Sequence, residues 1–117
     1  MVERVTITTE DGWAIVGDHY KGPQGSSAII LLHMMPATRA SWSAFAEKIN
    51  AAGFGALAID LRGHGESQGG PEGYKDFKDE DHAASIADVR AAIAYQAAEG
   101  HSKLFIAGAS IGANLAL

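Results

Sequence analysis

The stretch Gly108-Ala109-Ser110-Ile111-Gly112 decides the fold that this sequence predicts. The apolar run 104–107 precedes it, and small, helix-favouring residues follow it. A strand that turns sharply into a helix needs small residues at the turn, which accounts for Gly108 and Gly112. Such a turn lifts the Ser110 hydroxyl off the backbone and aims it at the N-terminus of the next helix. Ser110 is therefore the candidate nucleophile.

The overall composition predicts one globular domain over residues 1–117, since 47% of the residues are hydrophobic and 20% are charged. The net charge of −5, without a Lys/Arg cluster, argues against nucleic acid and anionic membranes as partners. The absence of cysteine excludes disulfides and thiolate chemistry. The N-terminus lacks a signal-peptide core and the longest apolar run, 28–32, is too short to span a bilayer, so we expect a cytoplasmic protein.

The first twenty residues predict an antiparallel hairpin. Residues 2–9 alternate apolar and polar side chains and are rich in β-branched types. Glu10-Asp11-Gly12 supplies a turn, and residues 13–20 alternate again as the returning strand.

Three apolar runs, 28–32, 54–59 and 104–109, predict buried parallel strands. The helix between the first two has Ser41 as a candidate N-cap and Gly53 as its end. Its apolar positions are Trp42, Phe45, Ile49 and Ala52.

A single second helix is expected to begin at the acidic run 79–81 and to end at Gly100, because acids favour the positive end of the helix dipole. Its predicted apolar stripe consists of Ala83, Ile86, Val89 (or Arg90), Ile93 and Ala97. The fold class is thus α/β, with a hairpin followed by three parallel strands and crossover helices. Right-handed crossovers bring the carboxyl ends of those strands, and hence residues 33–36, 60–65 and Ser110, to one edge of the sheet, where ligands bind.

Taken together, three stretches resemble the N-terminal half of an α/β-hydrolase. They are Leu31-Leu32-His33-Met34-Met35-Pro36, residues 58–67 around Asp60-Leu61-Arg62-Gly63-His64-Gly65, and Gly108 to Gly112. The resemblance covers nearly all of the chain, and the spacing and element order agree with it. It implies a partial α/β-hydrolase fold and, with Ser at the turn, a serine hydrolase acting on carboxylic esters. An esterase or dienelactone-hydrolase-like branch is compatible with it.

The resemblance also implies site roles. Ser110 forms an acyl-enzyme, and the backbone N–H groups of Met35 and Ile111 form the oxyanion hole. The sequence departs from the family at Met34, where Gly is usual. Met34 and Met35 either line an acyl pocket or simply pack.

The polar residues of the two preceding loops are assigned to structure rather than to chemistry. The resemblance gives His33 a loop-bracing role, and a general base has to reach the hydroxyl proton directly. Asp60 and Arg62 are expected to tie down the Gly-rich loop by pairing or by backbone hydrogen bonds. His64 is expected to be structural.

No cofactor or metal is predicted. The acidic run with His82 invites a metal site, but a solvated helix start is favoured because no second ligand cluster is visible. Gly63-x-Gly65-x-x-Gln68 lacks the third glycine of a dinucleotide-binding fingerprint.

The triad order in this family is nucleophile, acid and then His, and no such acid or His follows Ser110 here. We therefore expect a missing C-terminal half to supply them, and the chain by itself to be a very poor enzyme. The alternative is a catalytically incomplete half-domain that acts as an assembly or interaction module. In either case the apolar strand edge 104–109 should be covered by that half or by a second copy in a homo-oligomer.

Overall fold

A computed structural model of the chain describes residues 2–108. Within these residues the sheet has five strands: β1 (Val2–Thr8), β2 (Ala14–Tyr20), β3 (Ser27–Leu32), β4 (Gly55–Ile59) and β5 (Lys103–Gly108). The helices are α1 (Ser43–Ala51), α2 (Asp79–Ala83) and α3 (Ile86–Ala98), with 3-10 turns at Arg39–Trp42 and Gly73–Asp76. None of the helices described in residues 2–108 is long and apolar enough to cross a membrane.

The strands lie in the order β1-β2-β4-β3-β5. β1 and β2 form the expected antiparallel hairpin, and β4, β3 and β5 are parallel neighbours. The hairpin joins the sheet because β2 also pairs antiparallel with β4. The predicted α/β class is therefore confirmed, and the sheet is mixed.

The core lies on both faces of the sheet. One face packs Ile30, Leu57 and Ile59 against Val89 and Ala92 of α3. The other packs Leu31, Ala56 and Ala58 around Ala46 of α1. β4 is buried along its whole length, as expected for a strand covered on both sides.

The start of α1 differs from the prediction. The helix begins at Ser43, and the preceding 3-10 turn is capped by Thr38, whose side chain accepts a hydrogen bond from the Ala40 N–H at 3.3 Å. Ser41 is therefore not the N-cap. Gly53, with φ of +98°, follows the helix end as expected.

The predicted helix 79–100 is two helices, and its predicted apolar stripe faces the core only in part, at Val89 and Ile93. Tight i to i−3 hydrogen bonds from Ser85, Ala87 and Asp88 interrupt it. Ile86 is exposed, while α3 buries Ala87, Asp88, Val89, Ala92 and Gln96. The reason is electrostatic, because Asp88 faces inward and pairs with the buried Arg62 of the loop that follows β4.

β5 is less buried than predicted. Phe105 on this strand is 52% exposed. In the part of the chain that the structure describes, β5 hydrogen-bonds only to β3, so its other edge is open. Residue 109, the predicted last residue of this strand, lies outside the described residues.

Candidate active site

The carboxyl ends of the three parallel strands are aligned. Leu32 at the end of β3 is paired with Ile59 of β4 and with Gly108 of β5. The chain leaves these three positions side by side, so the loops that begin at His33 and Asp60 start next to the end of β5. Ser110, Ile111 and Gly112 lie outside the described residues, and Gly108 is the last residue that the structure describes before them.

His33 is fully buried and uses both ring nitrogens. Its Nε2 accepts the Leu61 N–H at 2.9 Å, so the proton sits on Nδ1, which donates to the Met34 carbonyl at 3.0 Å. Burial lowers the pKa of His33, and the neutral ring is the form that can make both bonds. Neither nitrogen is free to take a proton from a serine hydroxyl.

The contact between His33 and Met34 acts on one particular peptide group. The Met34 carbonyl and the Met35 N–H belong to the same planar peptide unit. Fixing the carbonyl therefore fixes the direction of the N–H assigned to the oxyanion hole. A donor on the carbonyl also polarises the peptide and strengthens its N–H as a donor.

The Met34 and Met35 side chains are exposed at 47% and 37%. Two flexible apolar side chains thus stand at the surface of the loop that would hold the oxyanion. This placement leaves both predicted uses open, an acyl pocket or simple packing.

Asp60 is fully buried and organises two loops. Its carboxylate accepts the Arg39 N–H at 2.7 Å and the Glu66 N–H at 2.9 Å, and it pairs with the Arg39 guanidinium. Arg39 also contacts Asp18 at 3.0 Å and Glu66 at 2.6 Å. These contacts join the loop after β3 to the Gly-rich loop after β4.

Arg62 is 3% exposed and does not pair with Asp60. Its backbone N–H donates to Asp88 at 2.8 Å, and its guanidinium donates to Asp88 and, at 2.7 and 2.9 Å, to Asp11. The same group lies over the Trp13 ring, 4.6 Å from its centroid. The hydrogen bonds that Asp11 accepts from the Arg62 guanidinium and from the Thr9 hydroxyl hold the pKa of Asp11 well below its usual range.

His64 is buried between two other rings. It stacks on Tyr74 with centroids 4.5 Å apart and lies 4.8 Å from His33. Its Nδ1 lies 3.0 Å from the Arg62 carbonyl, and burial lowers its pKa. The packing places His64 behind His33, where it supports the loop.

Sequence reasoning missed Arg39, Asp11 and Asp88 as loop-holding residues. Arg39 lies in a polar stretch with no motif, so nothing in the sequence marks it. The sequence did contain a signal for Asp88, which lies next to Val89 on an apolar helix face. A carboxylate buried on such a face needs a partner, so an ion pair could have been predicted there.

The acidic run contains a helix cap. The Asp81 carboxylate accepts the Lys78 N–H at 2.9 Å at the start of α2. Among residues 2–108, no group of three or more His, Cys, Asp or Glu side chains is arranged to hold a metal ion.

Comparison with known proteins identifies the family. The alpha/beta hydrolase fold family matches residues 27–117, and the chain therefore belongs to the α/β-hydrolase family. No curated protein sequence matches the chain.

Several solved structures share the fold. The esterase Pf2001 of Pyrococcus furiosus has a TM-score of 0.82 at 24% identity, over 99% of this chain and 45% of its own. The alpha/beta hydrolase GrgF of Penicillium sp. has a TM-score of 0.83 at 21% identity, over 98% and 39%. The epoxide hydrolase VrEH1 of Vigna radiata has a TM-score of 0.75 at 23% identity, over 97% and 32%. The chain thus spans less than half the length of these proteins.

Proposed function

We propose that this chain is the N-terminal part of a serine hydrolase that cleaves carboxylic esters through an acyl-enzyme on Ser110. The observation that carries the proposal is the alignment of Leu32, Ile59 and Gly108, because the strand that leads to Ser110 in the sequence ends beside the loop braced by His33. Family membership and an esterase among the proteins of the same fold support it.

The proposed mechanism begins with attack of the Ser110 oxygen on the ester carbonyl while a histidine base takes the hydroxyl proton. The tetrahedral oxyanion is held by the Met35 and Ile111 N–H groups. The alcohol leaves with a proton from that histidine, and water then hydrolyses the acyl-enzyme by the same route. The base and its acid come from a segment beyond residue 117.

Epoxide hydrolysis is the competing chemistry because an epoxide hydrolase shares the fold. The proposed ester chemistry is favoured by the identity of the candidate nucleophile, because a serine hydroxyl such as that of Ser110 forms an acyl-enzyme with a carbonyl compound. A serine attack on a carbonyl needs an oxyanion hole, and the His33-braced Met34–Met35 peptide is suited to that task.

The test is fluorophosphonate labelling of the full-length polypeptide and turnover of p-nitrophenyl acetate. Labelling should disappear in Ser110→Ala, with activity lowered on the order of a millionfold, because the nucleophile is lost. The exposed Ser41→Ala variant should label normally. Equal labelling of wild type and Ser110→Ala, or no labelling of either, refutes the proposal.

A non-catalytic half-domain is the second candidate, and it is favoured by the exposed Phe105 on β5, whose outer edge is unpaired within residues 2–108. A strand edge that is unpaired and carries an exposed apolar side chain is suited to pairing with another segment or with a second copy of the chain. Labelling of Ser110 decides between the two candidates.

A further inference from the structure

A cavity of about 350 Å³ lies beside β1, β2 and the last turn of α3. It shares no lining residue with the candidate active site. Its size suits a small organic molecule. Its lining consists of Glu3, His19, Lys21, Tyr95 and Glu99.

The charges of this cavity favour a cation. Glu3 and Glu99 supply two carboxylates against the single ammonium of Lys21. Tyr95 and Glu99 also lie at the carboxyl end of α3, where the helix dipole is negative. The Tyr95 ring adds an aromatic wall, which attracts a cation at its face.

His19 provides an acceptor that the fold leaves unused. The residue is 3% exposed, and within residues 2–108 its Nε2 has no hydrogen-bond partner. Burial lowers the pKa of His19, which favours the neutral ring, and in the tautomer with its proton on Nδ1 the Nε2 atom offers a lone pair. A buried polar nitrogen without a partner is costly, which makes this atom a candidate ligand contact.

The distance between the His19 ring nitrogen and the Glu99 carboxylate leaves room for one hydrogen-bond donor group between them. Nε2 lies 3.7 Å from the Glu99 Oε1, too far for a direct hydrogen bond. A nitrogen placed about 2.9 Å from each atom would bond to both. The Glu99 side chain is partly exposed, so it can turn to admit such a group.

We propose that this cavity binds the primary ammonium group of a small organic amine, held between His19 and Glu99. A –NH₃⁺ group has three N–H donors and a positive charge. The donors match the two acceptors, His19 and Glu99, and the charge is complemented by the carboxylates of Glu99 and Glu3. A metal ion fits less well, because no group of three metal-ligating side chains is assembled in residues 2–108. The site is independent of the proposed ester chemistry.

The test is an NMR titration of the 15N-labelled full-length polypeptide with n-butylammonium chloride, with sodium butyrate and zinc chloride as separate arms. Butylammonium should shift the amide signals of residues 19, 95 and 99 saturably, with a Kd below about 10 mM. Butyrate should not do so, because the cavity repels anions.

Paired variants test the charge of the site. Glu99→Gln should weaken binding about tenfold, since a charge-assisted hydrogen bond is lost. Lys21→Met should tighten it about threefold, because a competing ammonium is removed. Glu47→Gln, outside the cavity, should leave Kd unchanged. The absence of saturable shifts, equal binding of butyrate, saturation by zinc alone, or the same Kd in Glu99→Gln overturns the proposal.

Discussion

At the scale of the residue, His33 is the side chain that links packing to the proposed chemistry. It is fully buried, its Nε2 joins the loops after β3 and β4 by accepting the Leu61 N–H, and its Nδ1 holds the Met34 carbonyl. The bond to the Met34 carbonyl sets the plane of the peptide that presents the Met35 N–H. His33 therefore serves as a positioning residue for the proposed oxyanion hole.

We predict that His33→Leu in the full-length polypeptide lowers kcat for p-nitrophenyl acetate about 100-fold and changes KM little. The reason is that the correctly directed Met35 N–H stabilises the transition state more than it stabilises the bound ester, and a misdirected N–H loses that stabilisation. Steady-state kinetics measures the effect, and His82→Leu, in α2, is the control with expected near-normal kcat. An unchanged kcat in a folded His33→Leu protein contradicts this role.

At the scale of the element, a buried ion pair docks α3 onto the loop after β4. Asp88 is fully buried, and three of its hydrogen bonds come from Arg62. A second carboxylate, from Asp11 in the hairpin turn, holds the outer side of the guanidinium. The hairpin, the loop after β4 and α3 thus meet at Arg62. The break between α2 and α3 allows Asp88 to face this arginine.

We predict that Asp88→Asn lowers the free energy of unfolding by about 3 kcal/mol, because it leaves the buried Arg62 charge undercompensated. Urea denaturation measures the change. Glu10→Gln, which removes an exposed partner of Arg90, should change the free energy by less than about 0.5 kcal/mol. Equal effects of the two substitutions would mean that the buried pair does not anchor the helix.

The second feature at this scale is the outer edge of β5, which no strand within residues 2–108 covers. We predict that the 117-residue chain self-associates and that Phe105→Lys reduces the association, because an apolar edge strand promotes pairing and a lysine opposes it. Sedimentation velocity measures the oligomer distribution. Phe54→Lys, a substitution of an exposed Phe away from that edge, is the control. A monodisperse wild-type monomer contradicts the prediction.

At the scale of the whole molecule, three buried histidines make stability depend on pH. Burial lowers the pKa of His19, His33 and His64 below the usual 6.5. The unfolded chain therefore binds more protons than the folded chain once the pH falls below about 6.5. The stabilisation is complete above that pH and is lost as the pH falls toward the folded-state pKa values.

We accordingly predict that the Tm falls as the pH is lowered from about 7.5 to 5. Thermal melts followed by circular dichroism measure the slope. His19→Gln should make the slope shallower, because one of the three groups no longer titrates. A Tm that is constant or rises over this range would show that the buried rings are not neutral in the folded state.

The sequence by itself determined the hairpin, the parallel strands and the loops that meet at their carboxyl ends. These features follow from local alternation, from continuous apolar runs and from glycine-rich turns, which act over a few residues. The same local signals identified the family through Ser110 and the stretches around His33 and Asp60.

Only the tertiary structure decided which charges pair and which helix face is buried. Arg39 reaches Asp60 from 21 positions away, and Arg62 reaches Asp88 across 26. These partners are fixed by the strand order and by the cost of burying a lone charge, neither of which has a local sequence pattern. Because the buried Arg62 charge needs a partner, Asp88 faces inward and Ile86 is exposed, whereas the apolar periodicity of the helix predicted Ile86 on the buried face.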